Sequence, residues 1–194
     1  MIVQSVLLCM LVAAPADEAP RLDAWLSALH KPKTVLAKFT QSKQHPAFQQ
    51  PQISEGQVFL KRPDRLDFDY VRPHQVQLRL RGDRVQMHYP RSGRTQTLNL
   101  KDNPHLRVVV DTLAFFVRAD RARLNRQYIA RFEGQELVLT PKDPGLRAMV
   151  DQIRVRADLG RGILTRVQLV QADDSITTLS FTAAQINAPA PAAP

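Results

Sequence analysis

Side chains able to make or break covalent bonds are few in this 194-residue chain, and they do not converge. The five histidines, His30, His45, His74, His88 and His105, lie in separate segments. None is spaced as HxxxH or HxxEH, the intervals that put two imidazoles on one helix face around a metal ion, so no metal site is expected. Asp67 and Asp69 stand two apart in LDFDY and so share one side of a strand. A glycosidase pair of carboxylates works across a cleft; two on one charged strand face are expected to be solvated. Cys9 is the sole cysteine, so the chain can form no internal disulfide. Neither GxSxG, GxGxxG nor a phosphate-cradling loop occurs, and only seven glycines are present. The expectation is a protein without catalytic residues, cofactor or metal.

One placement asks for an explanation. In FLKRPDRLDFDYVRP, Phe59 to Pro73, the strand that carries Val58 and Leu60 on its apolar side brings Arg62 to that same side. By itself this reads as a snorkelling arginine, its stem on apolar surface and its head in water. The other reading is a guanidinium that donates to something facing the apolar side.

The elements around it are legible from periodicity. Pro20–Leu29 sets Leu22, Trp25, Leu26 and Leu29 at helical spacing, with proline in a first turn. Strand-like runs follow at Val35–Lys43, Glu55–Arg62, Leu66–Arg72, Gln75–Arg81, Arg84–Tyr89 and Arg94–Leu100. Pro63, Pro73, Gly82-Asp83 and Ser92-Gly93 separate them, and turns this short imply antiparallel neighbours. Leu66, Phe68 and Tyr70 alternate with Asp67 and Asp69; Val76, Leu78 and Leu80 alternate with Gln77 and Arg79; Val85, Met87 and Tyr89 alternate with Gln86 and His88. One broad curved sheet would gather these apolar faces on its concave side. The dense apolar segment Leu106–Val117 is expected to be a helix, and Arg118–Arg126 a charged connector. Strands return at Gln127–Phe132, Glu136–Pro141, Gln152–Ala157, Leu164–Gln171 and Ser175–Ala183, with a turn at Asp143-Pro144-Gly145.

The fold class expected is mainly β, with about eleven strands and two helices covering an apolar concave face. If the helices fill that face tightly, the result is a packed core; if they sit as a lid, the space beneath is a ligand cavity. Strands of six or seven residues are shorter than a membrane-spanning barrel needs. The apolar run Val6–Ala14 followed by Ala14-Pro15-Ala16 and the polar Asp17-Glu18 reads as a secretory signal peptide over residues 1–16. Residues 17–187 are expected to form one domain, and the Ala/Pro-rich 188–194 a disordered tail. The net charge of +9 comes from scattered Lys and Arg with few aromatics, which argues against nucleic acid as partner.

An ordered set of short motifs resembles the LolA family of periplasmic outer-membrane lipoprotein carriers. The set is Phe39-Thr40-Gln41, Glu55-Gly56, Lys61-Arg62-Pro63 with the aromatic strand through Tyr70, Gly82-Asp83, Tyr89-Pro90, the apolar helix, Tyr128, and Leu139–Lys142. The resemblance implies a half-open, strongly bent antiparallel barrel lidded by helices over a hydrophobic cavity. It implies a monomeric periplasmic carrier that takes acyl chains of lipoproteins, or a related lipid, from an inner-membrane transporter to an outer-membrane receptor. It makes Arg62 a lid latch that donates to backbone carbonyls of the lid. The cavity wall is then expected from Phe39, Val58 and Leu60, from Leu66, Phe68 and Tyr70, and from Val76, Leu78 and Leu80. Met87 and Tyr89 would extend it, and Val109, Leu113 and Phe116 of the helix would cover it. Alternatives within the same fold are an envelope module that senses lipid or lipoprotein, and a dedicated glycolipid- or polyene-pathway lipid-binding protein. Leu66 stands where the best-known members carry an aromatic near the cavity mouth, a departure from the family's pattern.

Overall fold

The computed structural model describes residues 18–191, apart from 82–83, 103–106, 108–109, 111, 114, 116–117 and 119. The expected signal peptide and the Gly82-Asp83 turn lie outside these residues.

Helix α1, Glu18–His30, buries the stripe predicted from spacing, Leu22, Trp25, Leu26 and Leu29. Six strands follow as a meander: β1 (Thr34–Gln44), β2 (Gln52–Lys61), β3 (Arg65–Arg72), β4 (Val76–Arg81), β5 (Arg84–Tyr89) and β6 (Arg94–Asn99). A second meander holds β7 (Tyr128–Glu133), β8 (Glu136–Pro141), β9 (Val150–Asp158), β10 (Ile163–Gln171) and β11 (Ile176–Ile186). Antiparallel pairing of β1 with β11 joins the two into one eleven-stranded sheet, ordered β6-β5-β4-β3-β2-β1-β11-β10-β9-β8-β7. The sheet curves but does not close, so β6 and β7 are its two edges. Between them the chain passes through the central segment, whose described residues Arg107, Val110, Thr112, Leu113, Phe115 and Arg118 are helical. Val110, Leu113 and Phe115 are buried in the core formed by the concave face and α1.

Several strands outrun their apolar signal. β1 and β11 span 11 residues each and β2 spans 10. Pairing on both sides carries β1 through polar residues where the hydrophobic alternation fades. Length therefore does not separate this sheet from a spanning barrel; the placement of charge does, since a spanning barrel turns its apolar residues outward and here they turn inward. The charged connector expected at 118–126 is corrected: Arg121–Gln127 is a helix, capped by Asp120 accepting from Arg123 N at 2.9 Å and anchored by the fully buried Leu124. The expected turn at Asp143-Pro144-Gly145 is a short helix, Pro144–Arg147, capped by Asp143. Both have a good N-cap and proline or charge in the first turn, but too few apolar residues to show a period. Beyond β11, Asn187 N donates to Thr34 O at 2.8 Å and Thr34 Oγ1 to Ala188 O at 2.6 Å.

The convex face corrects a second expectation. Asp67 is 3% exposed rather than solvated, held by Arg65 at 2.7 Å and Arg81 at 2.5 Å, and Asp69 pairs with Arg79 at 2.5 Å. Arginine stems cover this side of the sheet, so Phe59 is buried beneath the Arg65 guanidinium, 5.0 Å from its ring centre. At the other end Glu136, 4% exposed, accepts from Arg154 at 2.7 Å, Arg156 at 3.0 Å and Arg166 at 3.2 Å. Burial alone pushes the Glu136 carboxyl up, but hydrogen bonds and attraction from Arg154, then Arg156, outweigh it and hold the group below the usual carboxylate range.

The sheet edge at β7 is covered by α1. Phe132 N donates to Glu18 Oε1 at 3.2 Å, Arg21 donates to Gly134 O, and the Arg21 guanidinium lies 4.1 Å over the Phe132 ring.

Packing and charge on this sheet can each be probed by one substitution. A Cβ on Gly56 would overlap Asp69 O and come within 2.8 Å of the Phe39 ring, so Gly56→Ala should cost about 2 kcal/mol in urea melts; an unchanged midpoint would mean the strands can part at no cost. Glu136→Gln should cost about 3 kcal/mol at neutral pH by leaving Arg156 and Arg166 without their anion, while Arg154 keeps Glu133. Because the folded carboxyl titrates below its unfolded value, its contribution is complete above the unfolded pKa and disappears as pH falls through the depressed folded value. The gap between wild type and Glu136→Gln should therefore shrink as pH falls below the usual carboxylate range.

Candidate functional site: an apolar cavity between sheet and central helix

Both packing alternatives left open by the sequence are present in different places. α1 is packed tightly: Leu22, Trp25, Leu26 and Leu29 are each at most 5% exposed. The central segment also buries Val110 and Leu113, yet beside them remain two adjoining spaces with Leu66, Phe68 and Leu113 in both linings. The smaller, about 60 Å³, adjoins Arg62 and the end of α1. The larger, about 270 Å³, opens toward the opposite rim of the sheet.

Alternation along the strands explains the wall. Val58 and Leu60 of β2 and Leu66 and Phe68 of β3 face the smaller space. Leu66, Phe68, Tyr70, Leu78 and Leu80 face the larger. Of the other residues expected in the wall, Phe39 lies behind it, 2% exposed and edge-on to Phe68 at 5.2 Å and Tyr70 at 4.9 Å. Val76, Met87 and Tyr89 are half-buried on the concave side, outside both linings. Val109 and Phe116 lie outside the described residues. The second meander contributes wall residues that were not expected, among them Ile163, Leu164, Leu169, Leu179 and Phe181. Their signal was available: β10 and β11 carry the same period-two pattern as β3 and β4.

Arg62 sits where β2 ends. Its Nε donates to Pro32 O at 3.0 Å and its Nη2 to Leu29 O, while its backbone N donates to Lys33 O at 3.0 Å. The acceptors at Leu29 and Pro32 are orphan carbonyls at and just past the C-terminal turn of α1, where the helix dipole also favours a cation. Burial pushes the guanidinium down to about 10, so it remains cationic at neutral pH. The same helix end is gripped from the other side by Gly162, whose φ of +68° and contact with Ala28 O leave no room for a side chain. At the far rim, Tyr70 donates to Gln41 Oε1 at 2.7 Å, and burial pushes the phenol up to about 12.

Among the described residues the linings hold no carboxylate, histidine or cysteine. Among the described residues no cluster of His, Cys, Asp or Glu could hold a metal ion. Nor is any helix among them long and apolar enough to cross a membrane. What the arrangement offers chemically is apolar surface screened from water, with polar groups only at its two ends.

Solved structures share the architecture. A LolA superfamily protein from Nitrosomonas europaea, NE2245, aligns at a TM-score of 0.52 and 12% identity, over 90% of this chain and 96% of that one. MucB aligns at 0.54 and 16% identity, over 90% of this chain and 62% of its own. The Pseudomonas aeruginosa MucA/MucB complex aligns at 0.51 and 15%, over 88% and 57%. The chain thus spans less than two thirds of the MucB chains it matches. No curated relative matches the sequence. The sequence does match the family described as outer membrane lipoprotein carrier protein LolA, over residues 30–193. With the eleven-stranded open sheet and its covered concave face, that match places this chain in the LolA family.

Proposed function

We propose that the protein is a non-catalytic carrier that shields the acyl chains of lipoproteins, or of a related lipid, in the cavity beneath the central helix. It would do so in the periplasm after loss of residues 1–16, receiving cargo from an inner-membrane transporter and delivering it to an outer-membrane receptor. The observation that carries the reading is the cavity itself: a continuous apolar wall from both meanders, open at one rim and held at the other by Arg62. A tightly packed core would not leave this space, because interiors fill to crystal-like density.

As it stands the space lies at or below the range of about 300–1,000 Å³ typical of ligand pockets. The geometry therefore corresponds to a closed state that must widen for a long acyl chain. Each methylene taken from water contributes about 0.8 kcal/mol, which offsets the packing between helix and sheet that opening gives up. The Arg62 bonds hold the end of α1, rather than the central helix, at the mouth of the smaller space; in this reading opening there breaks them, and burial of the charge opposes them. That balance makes the latch reversible.

The likeness to MucB, solved in complex with MucA(peri), motivates a second reading, an envelope module that answers to lipid through a protein partner. Co-purified lipid and transfer to acceptor membranes separate the two: a sensor binds without handing on.

Arg62→Leu should keep the fold, because leucine suits the apolar strand side. It should remove charge-assisted hydrogen bonds, each worth about 1.5–3 kcal/mol, from the closed state alone. An apolar fluorescent probe should bind at least as tightly as to wild type, while release of bound lipid to acceptor vesicles slows about tenfold. Arg62→Lys should fall between, since a point charge cannot reproduce the planar donor fork. Transfer at the wild-type rate with an unchanged melt would make Arg62 a plain helix cap, and absence of both co-purified lipid and saturable probe binding would remove the carrier reading.

A further inference from the structure

The larger space is not apolar throughout. At the rim opposite Arg62 its wall changes to Gln41, Lys43, Tyr70, Gln171 and Thr177. Topology gathers them. Gln41 and Lys43 are on the concave side of β1 near its end, Thr177 lies opposite Lys43 at the start of β11, Gln171 ends β10 and Tyr70 lies near the end of β3. Gln41 and Thr177 are each 9% exposed and Gln171 is half-buried, whereas Lys43 is exposed, so the rim runs from the cavity out to bulk water.

The donor count at this rim is unbalanced. Tyr70 donates to Gln41 Oε1, and among the described residues Gln41 Nε2 donates to no protein group. The same holds for the side chains of Gln171 and Thr177 and for the Lys43 ammonium. Among the described residues Lys43 is the only charged one in the lining. The nearby Asp173, in the turn between β10 and β11, is outside the lining, accepts from Ser175 N at 3.0 Å and stands 4.0 Å from His45. The donors at this rim reach water, which a bound acceptor-rich head would replace. Convergent polar groups at one end of an apolar pocket are also what fixes a ligand's orientation.

We infer that this rim is a head-group subsite: the cavity seats an acyl amphiphile with an anionic, acceptor-rich head against Gln41, Lys43 and Thr177 and its chain running toward Arg62. The inference rests on the carrier reading and adds polarity to it. The chemistry required is a carboxylate or phosphate on an alkyl chain, supplied either by a fatty acid or by a phospholipid.

The test is displacement of a cavity-bound apolar fluorophore by dodecanol, dodecanoate, dodecyl phosphate and dodecyltrimethylammonium, each below its micelle concentration. Wild type should bind at least one of the two anions about tenfold more tightly than the alcohol, as a charge-assisted hydrogen bond provides, and the ammonium amphiphile most weakly. Preference for the carboxylate would point to fatty acids, preference for the phosphate to phospholipids. In Lys43→Met and Gln41→Leu the ratio of anion to alcohol affinity should fall toward one. Lys38→Met removes the same charge from the exposed convex side of the same strand, and it should keep the wild-type ratio. Equal binding of alcohol and anions by wild type overturns the subsite while leaving the carrier reading standing. So does a ratio lost equally in Lys38→Met, which would trace the preference to net charge alone. Failure of all four amphiphiles to displace the fluorophore overturns both.

Discussion

The pairing of β1 with β11 is the constraint on which the rest of the molecule depends. It brings the first and last strands into register from Val35 opposite Ile186 to Gln44 opposite Ile176. Two meanders that would each be a small, one-sided sheet become one broad surface. The same pairing sends β6 and β7 to opposite edges. The chain between those strands must then travel from one edge to the other, and the short path crosses the concave side. A covering helix over an apolar face is thus a consequence of strand order, before any side chain in the helix is considered. Its buried residues, Val110, Leu113 and Phe115, then decide how closely it sits.

The two faces of the sheet solve different problems. The concave side collects Leu, Val and Phe and leaves space among them. The convex side carries charge, but not as isolated solvated residues: Asp67 and Glu136 are buried under the arginines that neutralise them. Guanidinium groups can do this because their planar donors reach one carboxylate from several strands while their stems cover apolar neighbours such as Phe59. A lysine-rich surface of equal charge would leave those carboxylates and rings more open to water.

Much of the fold was legible in the sequence because period-two alternation is a local signal. The strands from β3 to β5 and the apolar stripe of α1 were read nearly to their ends, whereas β2 begins three residues earlier than its alternation indicates. The Arg121–Gln127 helix was not, since one buried leucine, Leu124, gives no period. The end of β11 was underestimated because pairing with β1 across more than a hundred residues extends it, and a window of neighbours cannot register that. The cavity was only half legible. Residues from β2 to β4 were anticipated, whereas the β10 and β11 wall depends on which strands become neighbours. The polar rim was the least visible part: Gln41, Gln171 and Thr177 stand at apolar positions in the alternation and look, one strand at a time, like a strand running out. Arg62 drew notice for the same kind of exception, and there a family resemblance suggested what it meets.

The cover that α1 places over β7 bears on how copies of this protein can meet. An open sheet with two free edges can join head to tail, edge to opposite edge, and such contacts repeat without closing, as fibres do. Here the Phe132 amide and the Gly134 carbonyl are already taken by Glu18 and Arg21. At this end of β7 a further strand would have to displace α1 before it could pair, so the cover that closes the core also protects part of the edge from another chain.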